Sequence, residues 1–263
     1  MLDFLKDITF KANDVVLRAI DILMRNYVSL AGLCFLLFIT SNLSSFLALY
    51  LDSTNFFIKV LLLLVFVTIY FSLQLVLLKK AVHLAKEEKK HLGFLGYLPS
   101  LSQFIFYVLG LLLYSLIAFV VYLLMYVLLF PLLYLGFDMV TVQSEIHPFL
   151  TGVIMLFILI RTSFFPFFII ENGFNTLKSY RFSLAMTKGN VFRLLTIIFI
   201  VALAHILQVG TEYLGYSLVS RILSLINSFV VIPLVGVVMS IVYIDMMKAY
   251  KGGADPSVMD NIL

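Results

Sequence analysis

Arg161 is the residue in this chain whose type and position most call for a chemical explanation. It stands about twelve residues into an apolar run, where a guanidinium costs several kcal/mol unless it is paired, hydrated or able to reach the membrane surface. Its candidate acidic partners are Glu171, just beyond the run, and Asp245, near the end of the last apolar run. Such a charge can contact a lipid headgroup or substrate in a cavity, or it can form an ion pair that fixes helix packing. The residues alone leave both open. His205, Gln208 and Asn227 could line a polar pocket, or they could simply hydrogen-bond between helices, as could Gln74. His83 and His91 in HLAKEEKKH lie eight residues apart, whereas the two His of a metalloprotease helix lie four apart, so a solvated face is expected there. The sequence has no Walker loop, no GxSxG and no Cys/His cluster. Neither an enzyme nor a metal or other cofactor is expected.

The elements that must position these residues are membrane helices. Hydrophobic residues make up 63% of the chain and charged residues 12%. The apolar residues gather into runs of 20 or more, each able to cross a hydrocarbon core of about 30 Å. Six spans are expected, at about 28–51, 56–78, 101–135, 149–170, 191–210 and 222–247, in a single all-α polytopic domain over 1–263. The third is overlong and is expected to tilt, project or bend near Pro131. Of 18 Lys and Arg, all but Lys59 and Arg221 fall on one side of this layout. Excess Lys and Arg marks the cytoplasmic side, so both termini are expected inside a bacterial inner membrane. That placement, rather than nucleic acid, accounts for the net charge of +4. The first 27 residues are too long and too mixed in charge for a secretory signal, so Met1 reads as a retained start. Cys34, the single cysteine, reads as a small core residue.

Polar, helix-like segments precede alternate spans. In KANDVVLRAIDILMRN, residues 11–26, the charges Lys11, Asp14, Arg18, Asp21 and Arg25 share one arc, and a helix at about 10–25 lying in the headgroup plane is expected. HLAKEEKKHLGFLGYLPS before the third span and LKSYRFSLAMTKGN before the fifth repeat the design. Three helix–span–span repeats would follow from it.

The last of these segments carries the most information. Over 174–188, Thr176, Ser179, Ser183 and Thr187 share one helical face, and Lys178, Arg181 and Lys188 share another. A stripe of small hydroxyls lets another helix approach closely and offers it hydrogen bonds. A basic stripe beside the cytoplasmic surface attracts anionic headgroups. Gly189 is expected to end this helix and Asn190 to cap the next span.

The stretch RTSFFPFFIIENGFNTLKSYRFSLAMTKGNVFRLL, residues 161–195, resembles the signature of a broad group of bacterial multispan proteins that includes the membrane-anchor domain of some glycerophosphodiester phosphodiesterases. The matching positions are Arg161, Pro166, Glu171, Gly173, Arg181, Ser183, Thr187, Lys188, Gly189 and Asn190; Leu184 and Ala185 depart from the pattern. The resemblance covers about 35 residues, and no phosphodiesterase domain accompanies it.

A non-catalytic scaffold, accessory subunit or lipid organiser is therefore expected. Anionic membrane lipid or a membrane-protein partner would meet Arg161, Glu171, Lys178, Arg181, Ser183, Lys188 and Asn190. The alternative is a transporter or flippase-like carrier of an amphiphile, with a cytoplasmic-side cavity around Arg161.

Overall fold

The computed structural model describes residues 10–50, 55–87 and 93–251; Lys6, Lys89, Lys90 and His91 lie outside them. All described regular structure is helical. Six stretches are long and apolar enough to cross a membrane: Ala12–Leu43, Phe56–Ala85, Leu101–Leu132, Met139–Asn172, Val191–Tyr213 and Ser217–Lys248. The protein is an all-α, multi-pass membrane protein. Its residues group into two compact units, one built on Met1–Phe104 and Phe192–Leu263, the other on Ile105–Val191.

In the first unit, α1 (Ala12–Tyr50) and α2 (Phe56–Ala85) pack with a late helix, Ile232–Lys251. Val15, Ala19, Leu23 and Leu30 of α1 are buried, with Leu75, Ala81 and Val82 of α2 and Val237, Val238 and Val242 of the late helix. Cys34 is buried among them as a free thiol. Between lipid-soluble helices the gain comes from close van der Waals fit rather than from expelling water. Gly236 shows this: a Cβ placed there would sit 3.7 Å from the Ala81 Cβ, so the two backbones meet closely.

The expected surface helix at about 10–25 is the first part of α1, and α1 as a whole runs antiparallel to the chain from the π turn at Asn227–Val231 through the late helix. Arg18 bonds Asp245 at one end, and the rings of Phe38 and Phe229 lie 5.5 Å apart at the other. The apolar arc that acyl chains were expected to cover is taken by protein at Val15, Ala19 and Leu23. A break does fall where the span was expected to begin. Asn26 leaves helical geometry (φ −120°, ψ 17°) and its side-chain amide donates to the Ile22 carbonyl at 3.0 Å. This local bond competes with the backbone ladder and kinks the helix.

The three lead-in segments take three forms: α1 as far as its kink, a short 3-10 turn at Phe94–Tyr97, and a separate helix at Thr176–Met186. At the start of α3 (Leu101–Leu129), Ser100 and Gln103 cap each other, each side chain accepting from the other's backbone N–H at 3.3 and 3.0 Å.

In the second unit α3 tightens into 3-10 turns over Phe130–Leu135, because Pro131 has no N–H to continue the ladder. After a turn at Gly136 the chain re-enters through Met139–Thr141 and a π-helical turn, Val142–Ile146. It continues as α4 (His147–Thr162), α5 (Phe165–Asn172) and α6 (Thr176–Met186). The chain then returns to the first unit as α7 (Val191–Tyr213), α8 (Ser217–Ile226), a π turn at Asn227–Val231 and α9 (Ile232–Lys251), the late helix described above. Both π turns stand just before a proline, Pro148 or Pro233. The last N–H ahead of each proline reaches back five residues, His147 to Val142 and Ile232 to Asn227.

Candidate functional site

The fourth span is broken at Ser163–Phe164, between α4 and α5. Pro166 sits in the first turn of α5 and offers no N–H to the turn before it. An N–H at 166 would have served the Thr162 carbonyl; the Arg161 carbonyl, beside the break at the end of α4, is met by the hydroxyls of Ser183 and Thr187. Ser183 Oγ donates to it at 2.8 Å; Thr187 Oγ1 lies 3.3 Å away, with its one proton directed mainly to the Ser183 carbonyl at 2.8 Å. The freed Phe164 N–H donates to the same Ser183 Oγ at 3.2 Å. One hydroxyl thus serves both sides of the break. At the other end of the stripe, Thr176 Oγ1 donates to the Phe106 carbonyl of α3 at 2.8 Å. Thr176, Ser179, Ser183 and Thr187 are all buried, so the expected hydroxyl stripe is the face by which α6 is held.

Arg161 also reaches α6 with its side chain. Its Nη2 donates to the Leu184 carbonyl at 2.8 Å. Leu184 lies in the last turn of α6, where carbonyls lack backbone partners and the helix dipole is negative. The half-buried cation is therefore set against a helix C-terminus. Neither expected acid pairs with it: Asp245 holds Arg18, and Arg161 makes no ion pair among the described residues. Its Nε is buried without a partner.

The remaining motif residues punctuate the chain. Gly173 adopts a left-handed conformation (φ 66°), and the N–H groups of Gly173 and Phe174 reach back to Ile169 and Phe168. This closes α5. Two residues on, the Asn175 side chain accepts from the Lys178 N–H at 2.9 Å and opens α6. Gly189 (φ 88°) turns the chain after α6, and Asn190 is buried with its N–H on the Thr187 carbonyl at 3.1 Å. Glu171 is half-buried at the end of α5.

Tyr180 fixes the packing from the other side of the unit. Its hydroxyl donates to the Gly110 carbonyl of α3 at 2.8 Å, and its ring stacks on Phe165 at 4.6 Å. Burial, with the nearby Tyr114 and Tyr107 phenols, raises its ionisation above the ordinary tyrosine range, so it stays a donor.

The outward side of α6 differs. Leu177 and Leu184 are 64% and 39% exposed, large values for leucines on a helix whose other face is sealed. Arg181 and Lys188 are exposed beside them. At 100° per residue Leu177, Arg181 and Leu184 fall within an arc of about 60°, and Lys188 follows in the turn just past the helix. Lys178 of the expected basic stripe instead lies over the Phe174 ring, 4.6 Å from its centre.

Comparison with protein-family models, with curated proteins and with solved structures finds no match to this chain. The site is read from its own geometry.

Elsewhere the expected polar pocket forms only in part. Asn227 donates to Gln208 at 2.5 Å, while His205 is exposed on α7. His83 is buried with its ring edge against Tyr97, their centres 5.6 Å apart. A groove of about 660 Å³ lies between α1 and the start of α9, lined by residues such as Leu23, Tyr27 and Leu234. Arg161 does not line it. His147, which the sequence does not mark because a lone histidine carries no pattern, is buried and held at the start of α4.

Proposed function

We propose that this is a non-catalytic protein of the bacterial cytoplasmic membrane, with both termini inside, that acts as a scaffold, accessory subunit or lipid organiser. It belongs with the multispan group whose signature residues 161–195 resemble. The segment α6 rests along the cytoplasmic leaflet and presents anionic lipid with a mixed edge.

That edge carries the reading. Leu177 and Leu184 are exposed next to Arg181 and Lys188, while the opposite face is bound to α3 and to the break in the fourth span. Leucines can enter acyl chains while the adjacent cations meet phosphates. Each cation near an anionic surface is worth about 1 kcal/mol. The signature residues Arg161, Gly173, Ser183, Thr187 and Gly189 hold or punctuate helices, leaving none of them poised over a substrate. The guanidinium of Arg161 is engaged by the Leu184 carbonyl, which favours a structural role over a carrier's binding site.

Changing Lys178, Arg181 and Lys188 together to Gln is the test. Lipid that remains with the protein after mild extraction is identified by mass spectrometry. The variant is expected to lose roughly tenfold or more of its retained anionic lipid while keeping zwitterionic lipid, since two to three cations at about 1 kcal/mol each exceed one decade. Unchanged anionic lipid in a folded variant would remove the reading.

A further inference from the structure

The hairpin between α3 and α4, at the far end of its unit from the α6 contacts, forms a partly open cavity of about 60 Å³. A water needs about 10–15 Å³ by this measure, so there is room for more than one small polar group. The walls include Leu129, Phe130 and Val142, and three polar residues, Tyr126, Gln143 and His147, face the same space.

Hydrogen bonding fixes what each polar group can offer. His147 is 3% exposed, and its Nε2 lies 3.1 Å from the Tyr122 carbonyl. A carbonyl only accepts, so Nε2 carries the proton and Nδ1 of the neutral ring is an acceptor. Nδ1 has no partner among the described residues. The ring is held edge-on to Tyr122, centres 4.5 Å apart, and faces Tyr126 at 5.8 Å. Gln143 Nε2 donates to Tyr126 Oη at 2.7 Å, which leaves the Tyr126 proton free to donate. The π turn Val142–Ile146 carries Gln143 and delivers His147 into the cavity wall. Such turns recur at functional positions.

We propose that this cavity binds the hydroxyl end of an uncharged amphiphile, the hydroxyl donating to His147 Nδ1 and accepting from Tyr126. A hydroxyl both donates and accepts, which matches this pair. No charged side chain lines the cavity, so nothing there compensates a carboxylate or phosphate. The apolar walls and the adjoining spans receive the hydrocarbon portion. The site is independent of the lipid edge on α6.

The test uses a long-chain primary alcohol bearing a diazirine, together with its methyl ether and the corresponding fatty acid, on purified protein in detergent. The alcohol is expected to label peptides spanning 122–147 roughly tenfold more than the ether, the scale of a buried hydrogen bond left unmade. His147→Phe keeps an aromatic ring and removes the acceptor; Tyr126→Phe removes the donor at a half-exposed ring. Each should reduce labelling by the alcohol towards that by the ether. If His147→Phe does not fold, Tyr126→Phe carries the test. Equal labelling by alcohol and ether, stronger labelling by the acid, or folded variants that label like the parent would each overturn the proposal.

Discussion

Gly110→Ala is expected to destabilise the 105–191 unit by about 2–3 kcal/mol, the upper part of the range for an overpacked core. A Cβ at this position would lie 2.3 Å from a carbon of the Phe165 ring. A flexible side chain could swing away, but this ring cannot. It is stacked between Tyr180, 4.6 Å away, and Tyr107, 5.9 Å away. Shifting α3 instead would pull the Gly110 carbonyl from the Tyr180 hydroxyl. Thermal or denaturant unfolding in detergent measures the loss. Combining Gly110→Ala with Phe165→Leu should recover part of it, because neighbouring substitutions couple. Wild-type stability in the single variant would show that the aromatic stack is not the constraint described.

The second large effect is at Ser183. Its hydroxyl donates to the Arg161 carbonyl and accepts from the Phe164 N–H, so Ser183→Ala strips two backbone groups at once. Phe164 and Ser183 are fully buried, and no water replaces the lost partner. Each orphaned group costs about 1–3 kcal/mol. Thr187 Oγ1, 3.3 Å from the Arg161 carbonyl, softens the loss only by turning its proton from the Ser183 carbonyl, 2.8 Å away. A cost of about 2–3 kcal/mol is expected. Ser179→Ala is the control: this hydroxyl is equally buried, but its bond to the Phe174 carbonyl is long, at 3.5 Å, and it should cost under about 1 kcal/mol. Equal costs at the two positions would contradict the account of the break.

The sequence made some of this legible and left the rest hidden, for physical reasons. Hydropathy locates spans because a helix in lipid must be apolar along some 20 residues, and all six expected spans correspond to helical stretches. The stripe Thr176–Ser179–Ser183–Thr187 was readable because helical spacing alone puts it on one face. Gly189 was readable from its place after a polar helix. The partner of Arg161 was not. Searching for an acid overlooks that the end of a helix is itself an acceptor, created by the fold and carried by no residue type. The burial of Val15 and Leu23 inside the first unit was hidden for a related reason. An amphipathic segment shows that an apolar arc will be covered, but not whether lipid or a distant helix covers it. Pro131 was expected to bend its span and does end it in 3-10 turns, but irregular helix also stands at Pro148, Pro166 and Pro233, where two follow π turns and one follows a break.

The central claim, that the outer edge of α6 meets anionic lipid at the membrane surface, can be measured optically because the chain contains no tryptophan. Leu184→Trp places the single tryptophan on that edge, excited selectively at the red edge of the tyrosine absorption, in vesicles carrying bromine on the acyl chains at graded depths. The account predicts strongest quenching by shallow bromines, and stronger quenching by brominated phosphatidylglycerol than by brominated phosphatidylcholine. It also predicts that this preference disappears when Arg181 and Lys188 are changed to Gln. A tryptophan quenched by aqueous iodide and untouched by brominated lipid would contradict it.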